Sequence, residues 1–240
     1  MGIFKSIKNA YIHKDSDTFI NYLRHKGIEI GNHCVFRSPS TTTIDKTRPA
    51  LISIGNHVDM NRNFTIMTHD YGTSVFLRKY NDFINSSGKV TIGNNVYFGV
   101  NCTVLKGVTI GDNCIIGAHS LVTKNIPANS VAAGVPAKVI STLDEYYAKR
   151  KEQALEEAFE YARCIKEKQH KIPDAADFTE EFIYFVAEND AEQINRKYGP
   201  AYNKLIANQL QESYHIWLQG HHARFNDLGD FLSAAGVTTK

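Results

Sequence analysis

The sequence lacks several things, and each absence narrows the reading. No segment of the 240 residues approaches the roughly 18–20 apolar residues of a transmembrane helix, so no membrane insertion is expected. The N-terminus has no apolar signal-peptide core, which points to a cytoplasmic protein. Its opening "MGIFKS" fits the short N-myristoylation pattern, but an ordinary start before a helix is the preferred reading. Charge of one sign is not in excess: 27 Lys and Arg stand against 25 Asp and Glu, a net +2. That gives no reason to expect a nucleic-acid partner or an anionic-membrane surface. Cysteine is scarce, and none of Cys34, Cys102, Cys114 and Cys164 forms a C-x-x-C pair. A zinc knuckle or redox motif is therefore unsupported, and no metal is expected.

What is present is a beat of six. From Ile92 the chain divides into IGNNVY, FGVNCT, VLKGVT, IGDNCI, IGAHSL, VTKNIP, ANSVAA and GVPAKV. The first position holds Ile92, Phe98, Val104, Ile110, Ile116 and Val122, then weakens to Ala128 and Gly134. The fifth is mostly small or β-branched: Val96, Cys102, Val108, Cys114, Ser120, Ile126 and Ala132. The fourth favours Asn, Gly or His. A large apolar residue every six fits neither a helix nor a simple strand. It fits very short strands joined by corners, each coil stacking on the one before at strand spacing. The first residue then fills the interior and the fifth is small because that interior is narrow. Asn and Gly at the fourth suit a left-handed backbone corner. Cys34, Cys102 and Cys114 fall at fifth positions and read as small core residues.

The same frame appears earlier in IGNHCV from Ile30, IGNHVD from Ile54, MNRNFT from Met60 and IMTHDY from Ile66, but is poor between Phe36 and Leu51. The frames starting at Ile54 and Ile92 differ by 38, not a multiple of six, so residues 72–89 are an irregular insertion that leaves the coil and returns. Loops this long without structure of their own are usually functional or disordered. The expected organisation is a helical cap over 1–27, the coil over 28–141, and an α-helical extension over 142–240. The extension starts with a helix from Leu143 to about residue 170, stopped by Pro173. "DFTE" (Asp177 to Glu180) reads as a capping box for a helix to about Asn189, and a further helix follows Pro200 to near Gly220. Charged faces in this extension read as solvated and its aromatics as core.

His33, His57, His69 and His119 all occupy fourth positions, where histidine tolerates a left-handed corner without any function. That reading is preferred for His33, His57 and His119. His69 differs because Asp70 follows it at once and because it stands at the mouth of the insertion. An imidazole there is suited to take a proton from a hydroxyl, with Asp70 as a candidate to orient the ring.

The stretch "VTIGNNVYFGVNCTVLKGVTIGDNCIIGAHSLVTKNIPANSVAAGVPAKVI" resembles the hexapeptide-repeat acetyltransferases, nearest to the maltose, galactoside and polysaccharide O-acetyltransferases. The resemblance spans about residues 28–141 and is most specific over 90–140. It implies a mainly β fold, a left-handed parallel β-helix, with acetyl-CoA as acyl donor and a homotrimer carrying its sites between subunits. It places the catalytic histidine at His69 of "MTHDYG". It implies acetyl-CoA contacts at Tyr97, Gly99, Val100, Ala118, Thr123, Lys124 and Lys138, with the Val100 N–H near the thioester and the lysines near the nucleotide phosphates. Ser141 stands where some members carry a second basic residue. The acceptor is expected to be a sugar or polysaccharide-precursor hydroxyl. Asp45, Arg48 and Asn63 are acceptor-side candidates on polarity and position, and a structural role is equally open for each.

Two other classes remain at this point. The same β-helix occurs in zinc carbonic anhydrases, which need three converging histidines. His33 and His69 lie 36 residues apart, about two coils or roughly 10 Å at strand spacing, which is far for one zinc. The other class is a non-catalytic trimeric scaffold whose extension binds a partner.

Overall fold

A computed structural model of the chain describes residues 10–178, 180–185, 220 and 222–237. The chain divides into two compact units, Met1–Tyr147 and Ala148–Lys240.

In the first unit the sixes become short strands wound into three sheets. One sheet stacks β1 (Glu29–Ile30), β4 (Ile52–Ile54), β7 (Val90–Ile92) and β10 (Thr109–Ile110). The second stacks β2 (Val35–Phe36), β5 (Val58–Met60), β8 (Val96–Phe98), β11 (Cys114–Ile116), β13 (Ser130–Gly134) and β14 (Ala137–Thr142). The third stacks β3 (Thr43–Ile44), β6 (Thr65–Ile66), β9 (Thr103–Val104) and β12 (Leu121–Val122). Each coil visits the three faces in turn, and all of these pairings are parallel except β13 with β14. The first-position residues Ile92, Phe98, Val104, Ile110, Ile116 and Val122 are almost fully buried, as are fifth-position Val96, Cys102, Val108 and Cys114. Each large side chain removed from water contributes roughly 1.5–3 kcal/mol, so the interior row is the main source of stability.

The corners carry the backbone conformation that selected their residues. His33, His57, Asn63, Asn95, Asn101, Asn113, His119 and Asn129 all have positive φ, as does Gly107. Their side chains form ladders along the stack. Asn95 donates from Nδ2 to Asn113 Oδ1 (2.8 Å), and Asn113 in the same way to Asn129 (3.1 Å). Rings of His33 and His57 stack with centroids 4.8 Å apart.

α1 (Ser16–His25) starts at Asp15, whose side chain accepts from Thr18 N–H at 2.7 Å, and its chain turns away at Gly27 with φ 93. It buries Phe19, Ile20 and Leu23 in the same core, with Phe19 edge-on to Phe36.

Three expectations need correction. The insertion is not irregular throughout: it contains α2 (Thr73–Tyr80), ended by Asn81 in the left-handed region. The unit starting at Gly134 does not continue the coil. β14 instead reverses antiparallel onto β13, because Gly134 at φ 101 turns the chain back. The capping box lies earlier than "DFTE": Asp174 accepts from Ala176 N–H, and Asp177 reaches back to the Asp174 N–H, around a 3₁₀ turn at Ala175–Asp177.

In the second unit, α3 (Leu143–Gln169), which begins in the first, presents Ala158, Ala162 and Ile165 to Phe178, Phe185, Phe231, Leu232, Ala235 and Val237. α4 (Leu228–Ala234) is capped by Asp227. The expected helix end near Asn189 and the helix after Pro200 lie outside the described residues.

Candidate active site

His69 follows β6 at the corner of the third face. It is not among the positive-φ residues, whereas His33, His57 and His119 are, at 56, 55 and 59. The corner explanation thus holds for those three and not for His69. At His69 the chain is extended instead, because it bridges antiparallel to Ser87 where the insertion returns.

The ring nitrogen Nδ1 meets Asp45 Oδ2. Asp45 follows β3, the strand stacked on β6 in the preceding coil, through Thr43↔Thr65 and Ile44↔Ile66. Its side chain is 3% exposed and that of His69 21%. Asp45 also accepts from Thr47 N–H (3.0 Å), Thr47 Oγ1 (2.6 Å), Thr68 N–H (3.2 Å) and Thr68 Oγ1. Burial alone would raise this carboxyl. The hydrogen bonds from Thr47, then Thr68 and His69, outweigh it and hold the group well below the usual carboxylate range. An ionised carboxylate only accepts, so Nδ1 carries the hydrogen, and in the neutral ring it is Nε2 that offers a lone pair.

Asp70 does not orient the ring, which corrects that expectation. Its Oδ1 accepts from Gly72 N–H (2.9 Å), and its Oδ2 meets Ser86 Oγ (2.9 Å) and Lys106 Nζ. Successive residues of extended chain point to opposite sides, so the carboxylate next to His69 in sequence faces away from its ring.

The three acceptor-side candidates separate. Asp45 joins His69. Arg48 donates from Nη2 to Asn85 Oδ1 of the insertion at 3.1 Å. Asn63 is a corner residue at φ 59 whose Nδ2 donates to Asn101 Oδ1 at 2.6 Å. Sequence reasoning passed over Thr47, Thr68 and Lys106. The first two are visible only as small hydroxyls flanking Asp45 and His69, and Lys106 gave no signal.

The residues expected to hold acetyl-CoA sort onto two parts of the coil. Tyr97 points outward from β8, half-exposed, with its hydroxyl 3.5 Å from Asn61 Nδ2. Gly99 and Val100 follow β8 at the next corner, stacked on Ala118 of the coil beyond. A Cβ on Gly99 would come within 2.5 Å of the Ala118 nitrogen, so only glycine permits this stacking. The Gly99 N–H donates to Ile116 O (2.8 Å) and the Asn101 N–H to Arg62 O (3.0 Å), while the Val100 N–H between them has no acceptor among the described residues. Lys138 is exposed on β14 opposite Ala133. Thr123 and Lys124 follow β12 on the face that carries His69. One chain therefore brings together His69, Asp45, Thr123 and Lys124 along one edge, and Tyr97, Gly99, Val100 and Ala118 along another.

Among the described residues, no group of three or more His, Cys, Asp or Glu side chains is placed to hold a metal ion.

The chain is similar to several known proteins. The family model "Bacterial transferase hexapeptide (six repeats)" matches residues 89–124. Protein CapG of Staphylococcus aureus is 39% identical over 150 residues, which span 62% of this chain and 83% of that protein. Galactoside O-acetyltransferase of Escherichia coli (strain K12) is 43% identical over 102 residues, 41% of this chain and 49% of that enzyme. Among solved structures, a maltose O-acetyltransferase from Clostridium difficile 630 aligns with a TM-score of 0.39 and 29% identity, covering 52% of this chain and 75% of that one. The chain belongs to the hexapeptide-repeat acetyltransferase family. It spans about half the length of the galactoside O-acetyltransferases that it matches.

Proposed function

We propose that this protein transfers the acetyl group of acetyl-CoA to a hydroxyl of a sugar or polysaccharide precursor, with His69 as general base. The observation that carries this reading is the buried, ionised Asp45 on His69 Nδ1, which leaves Nε2 free to accept a proton at the mouth of the insertion. The acceptor oxygen attacks the thioester carbonyl as its proton passes to Nε2. The tetrahedral intermediate then collapses, the C–S bond breaks, and the imidazolium returns the proton to the departing CoA sulfur. The Val100 N–H is the donor assigned to the oxyanion. Cys102 and Cys114 take no part, since burial raises both thiols and each donates to a backbone carbonyl.

On this reading the coil is the left-handed β-helix of the family. The two edges described above belong to one site only when copies of the chain meet, which fits a homotrimer with sites between subunits. The insertion supplies apolar surface for such a contact: Tyr71, Val75, Tyr80 and Phe83 are all more than half exposed. The whole sits in the cytoplasm, the compartment that supplies acetyl-CoA.

The test is acetyl-CoA turnover against a panel of sugars and nucleotide sugars, run with wild type and His69→Ala. Removing a general base should cost roughly 10²–10⁴ in rate with acetyl-CoA binding retained. Equal turnover by the two proteins would remove His69 from the reaction. Binding of acetyl-CoA without turnover of any acceptor would favour a scaffold.

A further inference from the structure

The neck of the insertion is held by more than its backbone. Lys106 stands at the corner after β9, in the coil that follows His69, and its Nζ meets both Asp70 Oδ2 and Ser86 Oγ. Asp70 is on the outgoing side of the neck and Ser86 on the returning side. They are joined to each other by Ser86 Oγ donating to Asp70 Oδ2 (2.9 Å) and Asp70 N–H donating to Ser86 O (3.2 Å). From before β4, Arg48 reaches Asn85 on the same returning side. Coil residues on both sides of the insertion in the sequence thus each place one cation on its neck. The returning chain also lies directly on the Lys106 corner, since a Cβ on Gly88 would come within 2.7 Å of the Gly107 nitrogen.

Side chains of Lys106 and Asp70 are 30% and 51% exposed, so this ion pair contributes little to folding. Its consequence is geometric. The two sides of the neck are also fixed to the coil by the Gly88 N–H donating to Thr68 O (2.9 Å) beside the His69–Ser87 bridge, and by Arg48 on Asn85. Lys106 adds a further point of attachment, on the far side of the neck from the His69 ring.

We propose that Lys106 is a positioning residue which, through Asp70 and Ser86, sets the angle of the insertion over His69 and so the grip on the acceptor, with Arg48 as its counterpart on the other side. This rests on His69 being the general base. The clamp touches neither the Asp45–His69 pair nor the residues assigned to acetyl-CoA, so its effect falls on the acceptor and not on the donor.

Lys106→Met keeps the aliphatic stem and removes the charge, and Lys106→Arg restores a cation. Hydrogen exchange of the full-length protein should be faster at the Asp70, Gly72 and Gly88 amides in Lys106→Met and near wild type in Lys106→Arg. The KM for the panel sugar with the highest wild-type turnover should rise roughly two- to fivefold in Lys106→Met, the size of a screened ion pair, while the KM for acetyl-CoA stays the same. Raising ionic strength above about 0.1 M should raise the acceptor KM of wild type and leave that of Lys106→Met flat. Unchanged exchange in Lys106→Met overturns the proposal. So does faster exchange with an unchanged acceptor KM. Loss of the general-base reading gives a different result, His69→Ala at the wild-type rate, and is thereby told apart from failure of the clamp.

Discussion

A carboxylate that is almost fully buried and still ionised needs donors to replace the water it has lost. Asp45 has five, two from Thr47, two from Thr68 and one from His69. Its pair with His69 therefore fixes both the tautomer and the ring. Asp45→Asn retains the shape but presents an amide that fixes neither. Partners that orient a working imidazole are worth about 10–100-fold where they have been measured on metal-bound histidines, and kcat should fall on that scale with the acetyl-CoA KM unchanged. The same change has a signature in acid. Because the folded carboxyl is held below its unfolded value of about 3.9, its contribution to stability is present above that pH and is lost as pH falls below it toward the folded value. Melting temperature against pH should show this acid loss in wild type and a shallower one in Asp45→Asn. Parallel curves would mean that Asp45 is not held as described. His69 was legible in the sequence because it precedes the break. The place of Asp45 beside its ring was not, because β3 and β6 are 22 residues apart in register and not the regular 18 seen between β9 and β12. The weak frame between Phe36 and Leu51 hid that count.

At the scale of the coil, the period of six carried most of the fold into view, because its three positions answer to separate physical demands. Interior volume selects Ile, Val and Phe at the first and small residues at the fifth. Positive φ selects Asn, His and Gly at the fourth. What the period could not show was how the coil ends or what the insertion contains. Both depend on local turns: Gly134 sends β14 back along β13, and the chain forms α2 between Thr73 and Tyr80. The fifth position gives a direct test. Cys34, Cys102 and Cys114 are buried with raised thiols, their Sγ atoms donating to Gly55, Gly117 and Pro127 carbonyls at 3.0–3.2 Å. Cys164 in α3 is partly exposed. Under native conditions near neutral pH, a thiol reagent should modify Cys164 first and the other three only as the coil unfolds. Mass spectrometry of the labelled protein reads this, and early labelling of Cys102 would show that the interior is open.

Among the described residues of the whole molecule, two hydrophobic cores lie in separate units, and this changes where the chain can be cut. The helix from Leu143 starts directly after β14, yet its apolar residues serve the second core: Ala158, Ala162 and Ile165 belong to the cluster built with Phe178, Phe185 and Phe231. A chain ending near Lys171 would keep these apolar residues, with Leu155 and Phe159 beside them, and delete their partners. An uncovered apolar stripe of that length favours association. A chain ending at Tyr147 would retain the complete core of the first unit, from Phe19 to Ala137, and none of the second. We expect the shorter protein to be the better behaved. It should fold cooperatively, bind acetyl-CoA through the coil, and run as a trimer in size-exclusion with light scattering. The chain ending near Lys171 should give heterogeneous, higher-mass species. The reverse order, with the chain ending at Tyr147 aggregating and the longer one monodisperse, would show that the coil depends on residues beyond its own core.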